Sequence, residues 1–509
     1  MKQIFCFAMI LCFFKSIMVS QTDIKYIYEN FEDSVIGKPD SLCYIDISYF
    51  NSGQRDQLGD KMPYVLESYL LMFETTKDKA YLIKFINHCI RIQSLRGIYN
   101  PNNCAVCFSD LPYHDGLLMW AMSHFVYIVK TDSILYNTDL PQIGLIESNT
   151  FGTFLTFGSF AVWLRNRVDE TLSRYVWHHW GDNERCFVDK YDPQPDVRAF
   201  DLNQQSCLAA SLYYIGITDT NYHYLEKAAY VAKAYKNKRK ENRPAGPVWD
   251  RCLFKDVVNA DVLEISDNNS YIWRTNGWRE LLCREDFLEA PERYDYEDFA
   301  HGFQGLIFPT IIYNRLVSEE EMLFSDVNMV RFRNTFTNKI FAGYSGGCPD
   351  FHPGVDGDDE IKYRVNHDYD GINSIRRIAP AWVYFADFDN SVGASSGLSV
   401  YEIIMDYINS PCLETPIEGL TYYGLAASLK AQWARECYDL TLYNRHIVYD
   451  QDFTVKNILY VSPAEATGDS YADPIISENV FYNDPGIHMT MTAGNSIELN
   501  PGFEGNPGF

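Results

Sequence analysis

The segment Tyr296–Gly305 combines two carboxylates with a histidine at a spacing suited to proton transfer. On a helix, Glu297, His301 and Gln304 would share one face, while apolar residues would line the opposite face. A carboxylate four residues before a histidine can orient the imidazole and raise its pKa, which suits a general acid or base. We therefore predict that His301, Glu297 and Asp298 are the catalytic residues. The alternative is that the two carboxylates only favour the helix dipole and that His301 is solvated or hydrogen-bonded.

A second segment carries side chains that suit sugar binding, namely Trp273, Arg274, Trp278 and Arg279. An arginine fork binds a carboxylate through two hydrogen bonds, and a tryptophan ring stacks on a pyranose. These are the groups that a uronate subsite needs. Stacking of arginine on tryptophan for structural reasons alone is the competing interpretation.

Two further polar groups stand where helices are expected to begin. Asn203 and Gln204 open one helix, and Tyr113 and His114 open another. We predict that these side chains line a cleft and bind the hydroxyl or carboxylate groups of a substrate. An ordinary helix cap at Asn203 is the alternative.

The elements that must position these residues are helical hairpins. The segments Leu71–Lys84 and Tyr214–Lys227 each read as a helix end, a polar turn and a helix start, and Thr75 matches Thr218. A repeated hairpin cannot bury its apolar face alone, so its copies must stack. Helical periodicity elsewhere predicts roughly eleven or twelve helices. The predicted fold class is mainly α, an (α/α)6-type toroid of about twelve helices over residues 21–445.

In such a toroid, alternate helices would form an inner ring, and the helix starts at Tyr113, Leu202 and Tyr296 would converge at one mouth. Positive helix-dipole ends at that mouth would favour an anionic sugar group. The insertion Trp273–Arg279 and a long loop over Gly343–Gly371 are expected to roof the mouth, because long loops in compact domains often act as lids.

The segment Trp177–Trp180 contains two adjacent histidines between two tryptophans. It is expected at the end of a helix over Phe160–Trp177. Neighbouring residues point apart on a helix, so the two histidines make a poor metal pair. The pair Cys104 and Cys107 lacks the second pair that zinc would require. We predict no metal site and no cofactor.

Composition and charge narrow the partners. The 509 residues carry a formal net charge of −25, which argues against nucleic acid as a partner. Aromatic residues make up 15% of the chain, so a large core and some sugar-stacking surfaces are both expected. Four cysteines lie among helix-like apolar residues and are predicted to be buried thiols, namely Cys89, Cys207, Cys283 and Cys437.

The first twenty residues have the pattern of a secretory signal. Lys2 precedes the apolar run Ile4–Phe14, and small residues follow over Ser16–Ser20. The run is too short to span a membrane comfortably, so no membrane span is predicted. The expected domains are a signal peptide over 1–20, the toroid over 21–445 and a small β appendage over 446–509, and the expected localisation is secreted.

Two short motifs resemble known families. The Glu-Asp-x-x-His-Gly pattern of Glu297–Gly302 is similar to a motif of six-hairpin toroid proteins that act on polysaccharides. The segment Thr492–Phe503 resembles the coat-hanger-like β repeat near the C-termini of exported Bacteroidetes proteins. The second resemblance implies export, with the type IX machinery as the candidate partner of the C-terminal region.

The predicted function is a secreted enzyme that cleaves a polysaccharide or oligosaccharide substrate, as a lyase or as a glycoside hydrolase. In a lyase, His301 or a tyrosine would abstract the proton next to a uronate carboxylate, and Arg274, Arg279 or Asn203 would neutralise that carboxylate. A non-catalytic glycan-binding or surface scaffold protein is the alternative function.

In a hydrolase, two carboxyl groups would flank the glycosidic bond. The candidates for this pair are Glu297, Asp298, Asp201 and Asp115. A separation of about 6.5–9.5 Å would imply inversion, and about 5–5.5 Å would imply retention.

Overall fold

A computed structural model describes residues 24–30, 59, 61–96, 108, 112–141, 153–180, 184–189, 202–235, 263–266, 268–273, 297, 299–313, 324–357, 378–395, 397–410, 412–413, 419–436, 439–442, 451–455, 458–461, 489–493 and 496–499. Helices cover 72% of these residues, so the chain is mainly helical, as predicted. The chain divides into two compact units, Met1–Ala431 and Gln432–Phe509.

The helices of the first unit follow one another with short strands between them. The helices are α1 (Met62–Thr76), α2 (Lys79–Leu95), α3 (Pro112–Thr131), α4 (Ser133–Asn137), α5 (Phe157–Leu172), α6 (Leu202–Asp219), α7 (Tyr222–Tyr235), α8 (Phe299–Ile312), α9 (Asp326–Thr335), a π-helical turn (Phe336–Ile340), a 3₁₀ helix (Ala379–Phe388), α10 (Val400–Ile408) and α11 (Gly419–Glu436). The strands form three antiparallel pairs: β1 (Tyr175–Trp180) with β2 (Glu184–Asp189), β3 (Glu264–Ile265) with β4 (Tyr271–Ile272), and β5 (Phe341–Ser345) with β6 (Cys348–Phe351).

Both predicted hairpins form, and their turns use the same local chemistry. Lys77 ends α1 with a φ of 59°, and Thr220 follows α6 with a φ of 52°, so each chain reversal passes through a left-handed residue. The next residue then caps the following helix. The side chain of Asp78 accepts a hydrogen bond from the Ala80 N–H, and Asn221 accepts one from the Tyr224 N–H. The two hairpins therefore share the backbone conformation of the turn as well as the sequence pattern.

Side-chain contacts join the longer helices in a consistent order. Helix α1 packs on α3, and α3 meets α6 where the rings of His124 and Tyr214 stack with centroids 4.7 Å apart. Helix α6 meets α8 where the backbone N–H of Phe308 donates to the hydroxyl of Ser206 at 3.0 Å. These helices therefore bury their facing sides against one another.

Tyr423 on α11 is a common neighbour of four other helices. Its ring lies 5.4–6.2 Å from the aromatic rings of Tyr64 on α1, Trp120 on α3, Phe303 on α8 and Tyr384 on the 3₁₀ helix. Aromatic pairs at these separations contribute about 0.5–1.5 kcal/mol each beyond the area they bury. Tyr423 is therefore a central packing residue of the first unit.

Two of the remaining helices each contact a pair of the longer ones. Helix α2 follows α1 in the first hairpin and also contacts α3, since the rings of Phe85 and Phe125 stack at 4.7 Å. Helix α7 follows α6 in the second hairpin and also contacts α8, because the Tyr235 hydroxyl donates to the carbonyl of Gly305. The hairpins thus pack side by side, as the sequence repeat requires.

Two local predictions are wrong. The helix expected over Phe160–Trp177 ends at Leu172, and Tyr175–Trp180 is a strand, since aromatic and β-branched residues favour an extended backbone. The loop expected over Gly343–Gly371 begins as the β5–β6 hairpin, which turns at Gly346 and Gly347, both with positive φ. Residues 358–371 of that segment lie outside the described part.

The described residues of the second unit form five short strands, β7 (Asp439–Leu442), β8 (Gln451–Val455), β9 (Ile458–Val461), β10 (Met489–Ala493) and β11 (Ser496–Leu499). These strands pair in parallel: β8 pairs with β10, and β9 pairs with both β7 and β11. The consecutive strands β8 and β9 pair with the consecutive strands β10 and β11, in the same order. The two pairs of strands therefore form an internal repeat.

The four cysteines whose side chains the structure describes take two forms. Cys89 and Cys207 are buried free thiols, as predicted, and burial raises the pKa of both. Cys283 and Cys437 lie outside the described residues. Cys348 on β6 and Cys412, which follows α10, form a disulfide. Among the described residues, no helix has both the length and the apolar character needed to cross a membrane.

Candidate functional site

The structure joins two of the polar positions at the predicted cleft. The Asn203 amide donates a hydrogen bond to the amide oxygen of Gln304 at 3.2 Å, and both side chains are buried. Asn203 is the second residue of α6, and its side chain makes this contact with α8. Helices α6 and α8 are therefore neighbours at Asn203 and Gln304.

Glu297 does not lie on the helix that carries His301. Helix α8 begins at Phe299, and the backbone of Glu297 pairs instead with Trp273 and Val355 at 2.8 and 2.9 Å. The predicted shared helical face is therefore wrong for Glu297, whose side chain is nevertheless buried. His301 is on α8 and partly exposed. Asp298 lies outside the described residues.

Trp273 occupies a packed position. Its side chain has 0% exposure, and a Cβ placed on Gly302 of α8 would lie 3.3 Å from the Trp273 ring. Its ring also meets Phe332 with centroids 6.0 Å apart. A fully enclosed indole leaves no ring face open for a sugar in this conformation. Arg274, Trp278 and Arg279 lie outside the described residues, so the uronate subsite stays a prediction.

The start of α3 is tightly packed. His114 has 0% exposure, and a Cβ on Gly59 would lie 2.1 Å from its Cγ, so only glycine fits there. Burial lowers the pKa of His114 to about 3, so the imidazole is neutral near pH 7. Tyr113 and Gln204 lie on α3 and α6, but their side chains are outside the described part.

Asp115 anchors the strand that follows α5. Its carboxylate accepts hydrogen bonds from Arg174 at 3.0 Å, from the Tyr175 hydroxyl at 2.9 Å and from the Phe108 N–H at 2.8 Å. Both members of the Asp115–Arg174 ion pair are fully buried. A carboxylate that already accepts three hydrogen bonds is poorly placed to transfer protons, so Asp115 fits a structural role better than a hydrolytic one.

A second polar group, which the sequence analysis did not find, lies between α1, α3 and α11. We call it the Glu67–His124 cluster, and it consists of Glu67, Glu74, His124 and Lys430. His124 Nδ1 lies 2.6 Å from Glu67 Oε1, and His124 Nε2 lies 3.6 Å from Glu74 Oε1. The Lys430 ammonium donates to Glu74 Oε2 at 2.6 Å. The cluster is a chain of alternating negative and positive groups.

The charges in the cluster depend on burial and on the neighbours. Burial opposes the charge on His124, but Glu67 and Glu74 outweigh it and raise its pKa to about 9. Burial raises the pKa of Glu67, and His124 offsets this only in part. Burial also acts against the charge of Glu74, but Lys430 and His124 outweigh it and lower its pKa. We conclude that His124 is an imidazolium near pH 7 and that Glu74 is ionised.

Tyrosine rings of the described residues flank the cluster. His124 stacks on Tyr214, and the rings of Tyr384 and Tyr423 stack at 5.9 Å with an interaction between their hydroxyls. Burial and the charge of Glu67 raise the pKa of Tyr384 to about 12, so its hydroxyl stays protonated. The site therefore holds protonated donors beside a carboxyl group whose pKa is raised, an arrangement that can transfer protons.

A sequence signal for this cluster exists. Glu67 lies within the apolar run of α1, Glu74 follows it seven residues later on the same face, and His124 interrupts the apolar run of α3. Ionisable residues on strongly apolar helices are seldom buried without a partner or a function. In the part of the chain that the structure describes, no group of three or more His, Cys, Asp or Glu side chains is arranged to hold a metal ion.

No protein-family model matches the chain, and no curated protein and no solved structure shows significant similarity to it.

Proposed function

We propose that this protein is an exported enzyme that cleaves a polysaccharide in the cleft of an α/α toroid. The toroid is supported by contacts that lead from α1 to α3, α6 and α8, and then to the 3₁₀ helix and α11. Phe299 of α8 stacks on Trp382 of the 3₁₀ helix at 5.6 Å, and a Cβ on Gly424 of α11 would collide with Pro380. Lys430 of α11 donates a hydrogen bond to Glu74 of α1, so the series of contacts ends at the helix where it began. Six helices in a closed order would form an inner ring, with α2 and α7 among the outer helices.

The observation that carries the enzyme proposal is the Glu67–His124 cluster. Burying the carboxylate of Glu67 and the imidazolium of His124 among helices costs free energy of desolvation, and apolar side chains of similar volume often stabilise a protein as well or better. Groups with pKa values shifted in opposite directions within one site are typical of acid–base catalysis. A protein that only binds glycans has no need of such a group.

Export is part of the same proposal. It is supported by the secretory pattern of the first twenty residues and by the disulfide between Cys348 and Cys412, because disulfides persist mainly in oxidising compartments. The segment Thr492–Phe503 resembles a repeat of exported proteins. It contains the strand β11, which pairs in parallel with β9. We propose that this region contacts the export machinery of a Bacteroidetes-type cell.

The test is incubation of the full chain with a panel of uronic-acid polymers and neutral polysaccharides. New reducing ends would support cleavage, and accompanying ultraviolet absorbance would identify the unsaturated product of a lyase. Reducing ends without that absorbance would identify a hydrolase. Affinity for a polysaccharide without any cleavage would replace the proposal with the glycan-binding alternative, and neither cleavage nor affinity would refute both.

A further inference from the structure

The Cys348–Cys412 disulfide ties a β-hairpin to a helix. Cys348 lies on β6 of the β5–β6 hairpin, and Cys412 follows α10. Strand β6 also packs on α10, and the Tyr344 hydroxyl of β5 donates to Asp406 of α10 at 2.6 Å. This hydrogen bond is exposed to solvent, where it contributes less to stability than a disulfide does. The disulfide is therefore the covalent anchor of the hairpin on α10.

The chain that follows β6 holds the residues that lead into α8. The Pro353 carbonyl accepts a hydrogen bond from the Phe299 N–H at 2.8 Å, and the Val355 N–H donates to the Glu297 carbonyl at 2.9 Å. The Glu297 N–H in turn donates to the Trp273 carbonyl at 2.8 Å. We call these three backbone hydrogen bonds the entry ladder, because they fix the chain at the point where it enters α8.

Side-chain packing couples the entry ladder to the position of the hairpin. A Cβ on Gly302, in the first turn of α8, would lie 2.8 Å from the Val355 side chain. The ring of Phe299 stacks on Phe351 of β6 with centroids 5.9 Å apart. A gap of about 0.5–1 Å already forfeits a quarter to a half of a van der Waals contact. A small shift of β6 would therefore loosen the start of α8.

The polar residues of α8 lie immediately after the entry ladder. His301, which the sequence analysis predicts to be catalytic, is two residues beyond Phe299. Gln304 accepts the hydrogen bond from Asn203 of α6, which joins α8 to its neighbour. The contacts that hold the entry ladder thus also determine where these side chains lie.

The state of the two cysteines depends on the compartment. In a reducing cytosol both remain thiols, whereas an oxidising compartment supplies disulfide oxidants such as glutathione disulfide. Cys412 is half-buried and Cys348 is buried, so Cys412 is the sulfur that an oxidant reaches first. Its thiolate attacks the oxidant and releases one glutathione, and the Cys348 thiolate then displaces the second. Two protein thiols become one S–S bond, and their protons pass to the two glutathione thiolates that leave.

We propose that the Cys348–Cys412 disulfide is a redox-controlled clamp, which closes after export and fixes the entry ladder at the start of α8. This inference rests on the export that the proposed function includes. While both cysteines are thiols, noncovalent contacts hold the hairpin on α10, and the entry ladder opens more often. Once the disulfide forms, the hairpin and the entry ladder keep His301 and Gln304 in place at the predicted cleft.

The experiment is amide hydrogen exchange, measured by mass spectrometry on the full chain with and without a phosphine reductant. Reduction should speed the exchange of the Glu297, Phe299 and Val355 amides by about tenfold or more, because local opening exposes them to solvent. Peptides of α3 should stay protected, and the helical circular dichroism signal should persist. The C348S/C412S double variant should match the reduced chain and should not respond to the reductant.

The matched control is C89A, which removes a buried thiol that forms no disulfide and should leave the exchange of the entry ladder unchanged. Alkylation of Cys348 and Cys412 verifies that reduction is complete, and the double variant decides if the reductant does not reach the disulfide. Full-length chain taken from the cytosol should be alkylated at both positions, and exported chain at neither. A disulfide already present in the cytosolic chain would contradict closure after export.

The outcomes separate this inference from the proposed function. Equal exchange of the entry ladder in the oxidised and reduced chains overturns the clamp, and so does loss of the helical signal on reduction, since the disulfide would then hold the whole unit. Polysaccharide cleavage is measured on the same samples. Faster exchange on reduction, without cleavage by the oxidised chain, refutes the enzyme and leaves the clamp. Equal cleavage by the oxidised and reduced chains overturns the positioning of the cleft by the clamp.

Discussion

His124 Nδ1 lies 2.6 Å from Glu67 Oε1, and both side chains are buried between α1 and α3. The contact joins residues 57 positions apart and links α1 of the first hairpin to α3. It also places a cation at the centre of a core that is otherwise rich in aromatic rings.

His124→Leu should lower the free energy of unfolding by about 3–5 kcal/mol, because it leaves the carboxylate of Glu67 buried without its charge partner. Adding Glu67→Leu should recover part of this loss, since the double variant buries no unpaired charge. Denaturant unfolding of both variants measures the effect. The control is His223→Leu, which is exposed and should change stability by less than about 0.5 kcal/mol. Equal effects of the two histidine variants would argue against the buried pair.

The contribution of His124 to stability should fall as the pH rises. Its pKa in the folded chain is raised to about 9, above the ordinary value of 6.5, so protonation favours the folded state. The contribution is complete below about pH 6.5, is lost between pH 6.5 and about 9, and amounts to about 3 kcal/mol at most. The measurement is the difference in unfolding free energy between the unchanged chain and H124Q from pH 5 to pH 10. A difference that stays constant, or that grows with pH, would contradict the charge assigned to His124.

Trp273→Ala should behave as a core substitution. Because the indole is enclosed by α8 and Phe332, its loss should lower the free energy of unfolding by about 3–5 kcal/mol. Tyr222→Ala is the control, since that ring is 76% exposed. Thermal or denaturant unfolding measures the stability, and glycan affinity is measured under conditions where the variant stays folded. A variant of normal stability that binds glycan poorly would restore the predicted role of Trp273 as a sugar platform.

Cys412→Ser should destabilise the chain through loss of its disulfide to Cys348. The two cysteines are 64 residues apart, and closing a loop of that length stabilises a fold by about 4 kcal/mol in the chain-entropy description. Removing both cysteines should cost about as much as removing one. Peptide mapping without reduction should find the linked peptides in protein isolated from an oxidising compartment. Alkylation of both thiols in that protein would contradict the disulfide.

The sequence was sufficient to predict the helical class and the repeated hairpin, because apolar periodicity and turn residues act locally. Lys77 and Thr220, with the caps Asp78 and Asn221, show that the repeat has a physical basis in the turn. The strand Tyr175–Trp180 was mispredicted, because its aromatic residues fit both a helical and an extended pattern until the partner strand Glu184–Asp189 is known.

The candidate site was only partly accessible from the sequence. The position of Asn203 at the start of a helix was predictable from the sequence, whereas its contact with Gln304 depends on how α6 packs on α8. The pairing of Glu67 with His124 was not predictable, since it depends on how α1 packs on α3 and each residue stands alone in an apolar helix. Glu297 was placed on a helix by its spacing from His301, but its backbone pairs with Trp273 and Val355 instead. Hydrogen bonds between residues far apart in the sequence determine the positions of Glu67, His124 and Glu297.

The most direct measurement is the rate at which the full chain and its E67Q variant form new reducing ends from uronic-acid polymers and neutral polysaccharides. E67Q keeps the size of the side chain but removes its negative charge and its ability to accept a proton. Our account predicts product from the unchanged chain and a rate at least about 100-fold lower for E67Q, with E226Q unaffected. Equal rates for the two proteins would contradict the assignment of Glu67, and no product from any polysaccharide would contradict the enzyme itself.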